Sequence, residues 1–140
     1  MLTVEKVIIL KSVAIFHALP EEHLVELAGI LRQREAHAGE LIIREGDLGT
    51  SLFVIVDGRV RVHRGEREIA QLGTRDVFGE LAALDPEPRS ASITALEDTM
   101  LFELEGEALY ELMADHVEAA RGIIRVLCGR LRSETARGPG

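Results

Sequence analysis

Between residues 41 and 104 the apolar positions come in short runs broken by glycine, and on either side of that stretch they recur at helical spacing. The change of period separates strands from helices, because alternate residues share a face in a strand and every third or fourth does in a helix. Residues 2–13 carry apolar side chains around much of a helix circumference, with Glu5, Lys6 and Lys11 between them. A second helix has Pro20 at its first position and Glu21 and Glu22 at its positive end. Its stripe of Leu24, Leu27, Ala28 and Leu31 ends near Gln33.

Within the glycine-punctuated region, the runs 52–56 and 60–63 flank Asp57-Gly58-Arg59, a tight-turn signal. Gly65-Glu66-Arg67 is a second turn, and 68–72, 90–96 and 100–104 complete the predicted strands. Many short strands with such turns predict a β-roll. After Gly106, Leu109, Met113, His116, Ala120, Ile123, Leu127 and Leu131 recur at alternating spacings of four and three, a heptad-like seam on one long helix. The seam can pack on the roll, join two chains or cover a ligand. Gly122 and Gly129 each weaken this helix by roughly 1 kcal/mol relative to alanine.

The chemistry concentrates in residues 78–92. Gly79 lets the backbone approach a ligand closely, and residues 80–84 can form one short helical turn. The first amides of such a turn have no partner within it and, with the positive end of the helix, favour an anionic oxygen. Pro86 and Pro88 force an extended path, so Arg89 is expected to open a strand. Alternation then sets Arg89 on the face of Ala91 and Ile93, turned toward the interior, where a guanidinium needs a partner. Phosphate offers two oxygens matched to its planar fork. Glu80 would repel that phosphate but can accept hydrogen bonds from a sugar hydroxyl, as carboxylates do on ribose in dinucleotide sites. Phosphate and ribose within one short segment point to a compact nucleotide. The alternative is that Glu80 and Arg89 pair with each other and the roll binds nothing.

Gly79-Glu80-Leu81-Ala82, a short loop and then Arg89-Ser90-Ala91 resembles the phosphate-binding cassette of cyclic nucleotide-binding domains. Gly39-Glu40, the run from Ile43 to Asp47, the run from Ser51 to Ile55 and Gly58-Arg59-Val60 are similar to the strands and turns preceding it in that family. The resemblance implies an α+β fold: an antiparallel β-roll, a jelly-roll-like double-stranded β-helix, flanked by N-terminal helices and a C-terminal helix. The expected organisation is an N-terminal helix over 1–14, a cyclic nucleotide-binding domain over 15–132 and a disordered polar tail over 133–140. The resemblance also implies that Arg89 holds a cyclic phosphate and Glu80 the ribose 2′-hydroxyl. Phe78, Gly79, Leu81, Ala82, Ser90 and Ala91 complete the expected ligand site. A regulatory domain for cAMP, with cGMP as the second candidate, is the expected function, coupled to movement of the C-terminal helix. Relatives often cap the base with an aromatic or long side chain from that helix; here no aromatic follows Tyr110, leaving Ile123, Ile124, Leu127 or Arg125. The alternative is a ligand-free roll docking onto a larger, even membrane-bound, protein.

Composition narrows the field. A chain of 140 residues with 46% hydrophobic content fits one folded domain. With 16 basic against 24 acidic residues its formal charge is −8, which disfavours direct binding to nucleic acid or anionic membranes. Cys128 is the single cysteine, so no intrachain disulfide forms, and a reducing cytoplasm is the default compartment. Residues 7–10 are too brief an apolar run for a membrane span. His17, His23, His37, His63 and His116 lack metal-ligand spacing in the sequence, and no metal is expected. Ser51, Ser90 and Ser92 have no glycine-flanked nucleophile turn, so no enzymatic activity is expected. Phe16, Phe53, Phe78, Phe102 and Tyr110 read as packing residues. The expected partners are a cyclic mononucleotide and either a second copy, joined through the C-terminal helix, or an output domain not included in this chain.

Overall fold

The computed structural model describes residues 1–17 and 19–136. Among these, α1 (Thr3–Lys11) and α2 (Glu21–Ile30) precede β1 (Arg32–Ala36), β2 (Leu41–Ile43), β3 (Leu48–Gly49), β4 (Ser51–Asp57), β5 (Val60–Arg64), β6 (Arg67–Leu72) and β7 (Val77–Phe78). The short helix α3 (Glu80–Leu84), β8 (Glu87–Pro88), β9 (Ser92–Ala95) and β10 (Thr99–Glu105) follow, then α4 (Gly106–Asp115) and α5 (Val117–Ala136). The chain groups into two units, Ile30–Tyr110 and the pair of segments Met1–Gly29 and Glu111–Gly140.

The unit Ile30–Tyr110 is the expected antiparallel roll. One sheet has the order β1-β10-β4-β7, a second β2-β9-β5-β6, and β3 pairs with β8 in a third. Its core includes Ile43, Phe53, Ile55, Val60, Phe78, Ile93 and Leu101, all buried. Phe53 and Phe78 face each other across the β4–β7 pair with ring centroids 5.0 Å apart. The Asp57-Gly58 turn is present, with Gly58 at φ 126. The strands it joins do not pair: β4 lies between β10 and β7, while β5 lies between β9 and β6. The turn therefore passes the chain from one sheet to the other.

Helix α2 stops at Ile30, short of the expected end near Gln33, because residues 32–36 form β1. Only Ala36 in that strand is buried, so no alternation marks it. What holds it is pairing with β10, in which Arg32 lies opposite Glu103 and bonds Glu105 at 2.8 Å. Pro20 lies just outside α2, and its carbonyl accepts from the His23 amide at 3.0 Å.

In the second unit, α1 and α2 bury Val7, Ile9, Leu10, Leu24 and Leu27. The expected long C-terminal helix is two helices. His116 separates them: its amide donates to the Leu112 carbonyl at 3.0 Å, and its carbonyl accepts from Ala119 at 3.0 Å and Ala120 at 3.2 Å. One residue thus closes α4 and opens α5, and the buried positions become Leu109, Leu112, Ala119 and Ile123. Leu131, expected on the seam, is exposed. Helix α5 runs to Ala136, four residues into the segment expected as tail, and 137–140 lie outside the described residues. Phe16, Phe53, Phe78 and Phe102 are core residues, but Tyr110 is half-exposed and its hydroxyl donates to the Leu84 carbonyl.

Candidate functional site

Gly79 adopts φ 82, a left-handed conformation that favours glycine, and turns the chain from β7 into α3. The Ala83 amide donates to the Gly79 carbonyl at 3.1 Å, so the amides of Glu80, Leu81 and Ala82 precede the first closed turn. After α3 the proline-bounded segment pairs with β3, Leu48 opposite Pro88 and Gly49 opposite Glu87. Arg89 follows β8 in irregular backbone, and the strand it was expected to open begins at Ser92. Its main chain is nevertheless fixed, donating to the Asp47 carbonyl at 2.8 Å and accepting from the Gly46 amide at 2.9 Å.

The Arg89 side chain lies in a slot between two glycines. A Cβ on Gly49 would sit 2.2 Å from its Nε, and one on Gly79 would sit 2.7 Å from its Nη1. The slot ends on β4, where Nη2 donates to the Ser51 carbonyl at 2.8 Å. Burial pulls the guanidinium below its ordinary pKa, while the carboxylates of Glu103 and Glu105 act in the opposite direction. An arginine stays cationic at neutral pH under these influences. The group is thus a partly desolvated charge that donates to a neutral acceptor at the start of β4.

One cavity of about 270 Å³ gathers all the residues expected at the site, Phe78, Gly79, Glu80, Leu81, Ala82, Arg89, Ser90 and Ala91. Ile43, Val62, Val77 and Ile93 supply an apolar wall, and Glu87 and Pro88 part of the rim. Glu80 is half-buried, whereas Leu81 and Ser90 are exposed at the edge. Arg64 Nε bonds the Ser90 carbonyl at 2.9 Å, fixing the backbone there. An apolar wall with a few convergent polar groups is the usual make-up of a small-molecule site, and this volume suits a small ligand. Arg89 also borders a second depression, of about 250 Å³, with Arg44, Asp47, Thr50, Glu103 and Glu105.

Sequence reading missed Gly49, the Ser51 carbonyl and the two glutamates of β10. Gly49 has no positive φ to demand glycine; only the close approach of Arg89 explains it, and that contact is visible solely in three dimensions. A further link leads away from the cavity. A Cβ on Gly106, the first residue of α4, would lie 2.1 Å from the Ala83 carbonyl, and Tyr110 one turn later bonds Leu84. The start of α4 is therefore seated on the end of α3.

Comparison with known proteins bears on the fold and its family. The model of the cyclic nucleotide-binding domain matches residues 33–116. The chain is 38% identical over 130 residues to the cyclic AMP receptor protein of Thermus thermophilus, covering 88% of this chain and 59% of that protein. It is 30% identical over 129 residues to a CRP-like cAMP-activated global transcriptional regulator of Mycobacterium tuberculosis, covering 89% of this chain and 58% of the relative. The chain thus spans about three fifths of the length of these two relatives. Among solved structures, the N-terminal domain of a transcriptional regulator from Streptomyces coelicolor A3(2) superposes with a TM-score of 0.83 at 30% identity, covering 92% of this chain and 94% of that one. The regulatory domain of Toxoplasma gondii PKA, crystallised with cAMP, gives 0.73 at 29% identity over 79% of this chain and 44% of its own. No described helix is long and apolar enough to cross a membrane. With its roll, its cassette cavity and a family match over most of its length, the chain belongs to the cyclic nucleotide-binding domain family.

Proposed function

We propose that this domain is a sensor for a cyclic purine mononucleotide, cAMP in the first place. The observation that carries the proposal is the two-glycine slot that presents the Arg89 guanidinium to the cavity. In this reading Arg89 takes the cyclic phosphate together with the amides opening α3, and Glu80 accepts the ribose 2′-hydroxyl. Ser90 lies at the rim, and the apolar wall of Ile43, Val62, Val77 and Ile93 receives the less polar parts of the ligand. The choice of cAMP draws on two relatives named above, a receptor for cyclic AMP and a regulator activated by it.

Signal leaves the site through α3. A ligand that reorders residues 79–84 acts on the Ala83 and Leu84 carbonyls, against which Gly106 and Tyr110 of α4 are placed. A two-state response of the C-terminal helices requires the ligand to prefer one arrangement over the other. The domain is regulatory and carries no catalytic step of its own in this reading, and α5 joins it to a second copy or to an output module.

Calorimetric titration with cAMP and cGMP tests the proposal. One equivalent of cAMP should bind, more tightly than cGMP. At a hundredfold excess over the dissociation constant, binding only the native state adds about 2.7 kcal/mol of stability. The melting temperature should then rise by roughly 2–4 °C for each kcal/mol. Absence of heat and of any melting shift at millimolar ligand would leave a roll that serves as a docking module.

A further inference from the structure

The five histidines are dispersed in the sequence, yet the fold brings two of them together. His23 on α2 and His116 at the α4–α5 joint face each other with ring centroids 3.7 Å apart. Glu26, one turn beyond His23 on the same face of α2, approaches His116 with Oε2 3.4 Å from Nε2. The three side chains can each offer one ligand atom, and these atoms all lie within 4.8 Å of one another.

We infer that His23, Glu26 and His116 form a binding site for a zinc(II)-class divalent cation, placed so that the metal clamps α2 to the joint between α4 and α5. Two imidazoles and one carboxylate are a recognised zinc donor set, with a water or another ligand completing the tetrahedron. At Zn–N distances of about 2.0–2.1 Å, neighbouring ligand atoms in a tetrahedron stand about 3.3 Å apart. The Glu26–His116 separation of 3.4 Å already matches this edge, and the ligand atom of His23 lies within 4.8 Å of both, so the His23 and His116 rings, now 3.7 Å apart, would have to open to take the metal between them. His23 is buried, whereas the side chains of Glu26 and His116 are 51% and 32% exposed. A cation can therefore enter from the Glu26 side and meet a histidine fixed behind it.

The location gives the site a use. His116 closes α4 with its amide and opens α5 with its carbonyl, so fixing its ring fixes the residue at which α4 gives way to α5. A metal there holds the joint in one arrangement. This inference stands on other residues than the nucleotide reading and does not depend on it.

The test uses the full chain carrying Cys128→Ser, which removes the exposed thiol as a competing ligand. Zinc chloride is titrated against a chromophoric chelator, and cobalt(II) chloride is followed by visible absorption. The expected result is one equivalent of zinc, tetrahedral cobalt bands and a higher melting temperature with zinc. Glu26→Gln should weaken zinc at least about tenfold and His116→Asn by about a hundredfold or more, since even groups that only support a ligand are worth about 10–100-fold and these are ligands themselves. Both changes lie at partly exposed positions, so the comparison survives even if His23→Gln does not fold. Equal zinc affinity in the parent and both variants, or no tight equivalent in the parent, would overturn the site and leave a histidine pair beside an ion pair.

Discussion

Arg89 gives the Ser51 carbonyl a hydrogen bond of 2.8 Å, so the one cation in the cassette is anchored by a neutral group at the start of β4. Glu103 and Glu105 favour its charge through their field. An arriving phosphate would meet a guanidinium held in place and still able to form charge-assisted bonds. Arg89→Ala should therefore weaken every cyclic nucleotide by more than about 2 kcal/mol. Arg89→Lys keeps the charge and loses the planar fork, and should fall between wild type and alanine. Titration calorimetry of the three proteins with cAMP checks the order; equal affinities would remove Arg89 from the site.

The two glycines of the slot should separate binding from stability. At Gly49 the three atoms nearest an added Cβ all belong to the Arg89 side chain, and no positive φ is involved. Gly49→Ala should displace the guanidinium and lower cAMP affinity about tenfold, roughly 1.4 kcal/mol, with little change in melting temperature. Gly79→Ala meets the Ser51 carbonyl at 2.8 Å as well, in a backbone at φ 82. It should lose affinity and also about 1–3 kcal/mol of stability. Thermal melts beside titrations distinguish the two, and a stable, fully binding Gly49→Ala would contradict the slot.

Glu80→Gln probes the sugar contact. Wild type should prefer cAMP over its 2′-deoxy analogue, and the variant should narrow that gap while still binding both. Competition titration with the two ligands is the measurement. If the wild type does not distinguish them, the ribose role belongs to another group.

On α5 the exposed residues Val117, Ile124 and Leu131 recur seven apart. That spacing is the repeat of a helix-to-helix seam. Ile124→Glu should convert a dimer into a monomer by light scattering while nucleotide affinity stays near wild type. Should mass stay constant and affinity fall, these side chains cover the ligand; a monomeric wild type would discard the seam.

The roll and its cassette were legible because their signals are local. Glycine punctuation marked β4, β5, β6, β9 and β10, though not the two-residue β7 and β8, and the cassette occupies a short run whose members line one cavity. The sequence was silent where structure depends on distant partners. β1 has a polar pattern and exists because β10 lies beside it. The helix break at His116 is hidden under an unbroken apolar rhythm, since spacing records a shared face but not an interruption of one residue. Arg89 seemed bound to a strand because two prolines precede it, yet its backbone is held by residues 46 and 47. His23 and His116 belong to one cluster that no spacing rule would join.

β10 lies between β1 and β4 in its sheet although it is the last strand among the described residues, and Arg32 bonds Glu105 across 73 positions. During synthesis β4 therefore emerges with six consecutive side chains destined for burial and waits for its principal neighbour until residues 99–105 have been made. Closing so long a loop before any reward is the slow kind of folding step. Until then the nascent chain presents an apolar strand with an open edge, the form most prone to pairing with another molecule. The strand that completes the roll is thus also its timekeeper, and the period before its arrival is when this protein is most vulnerable.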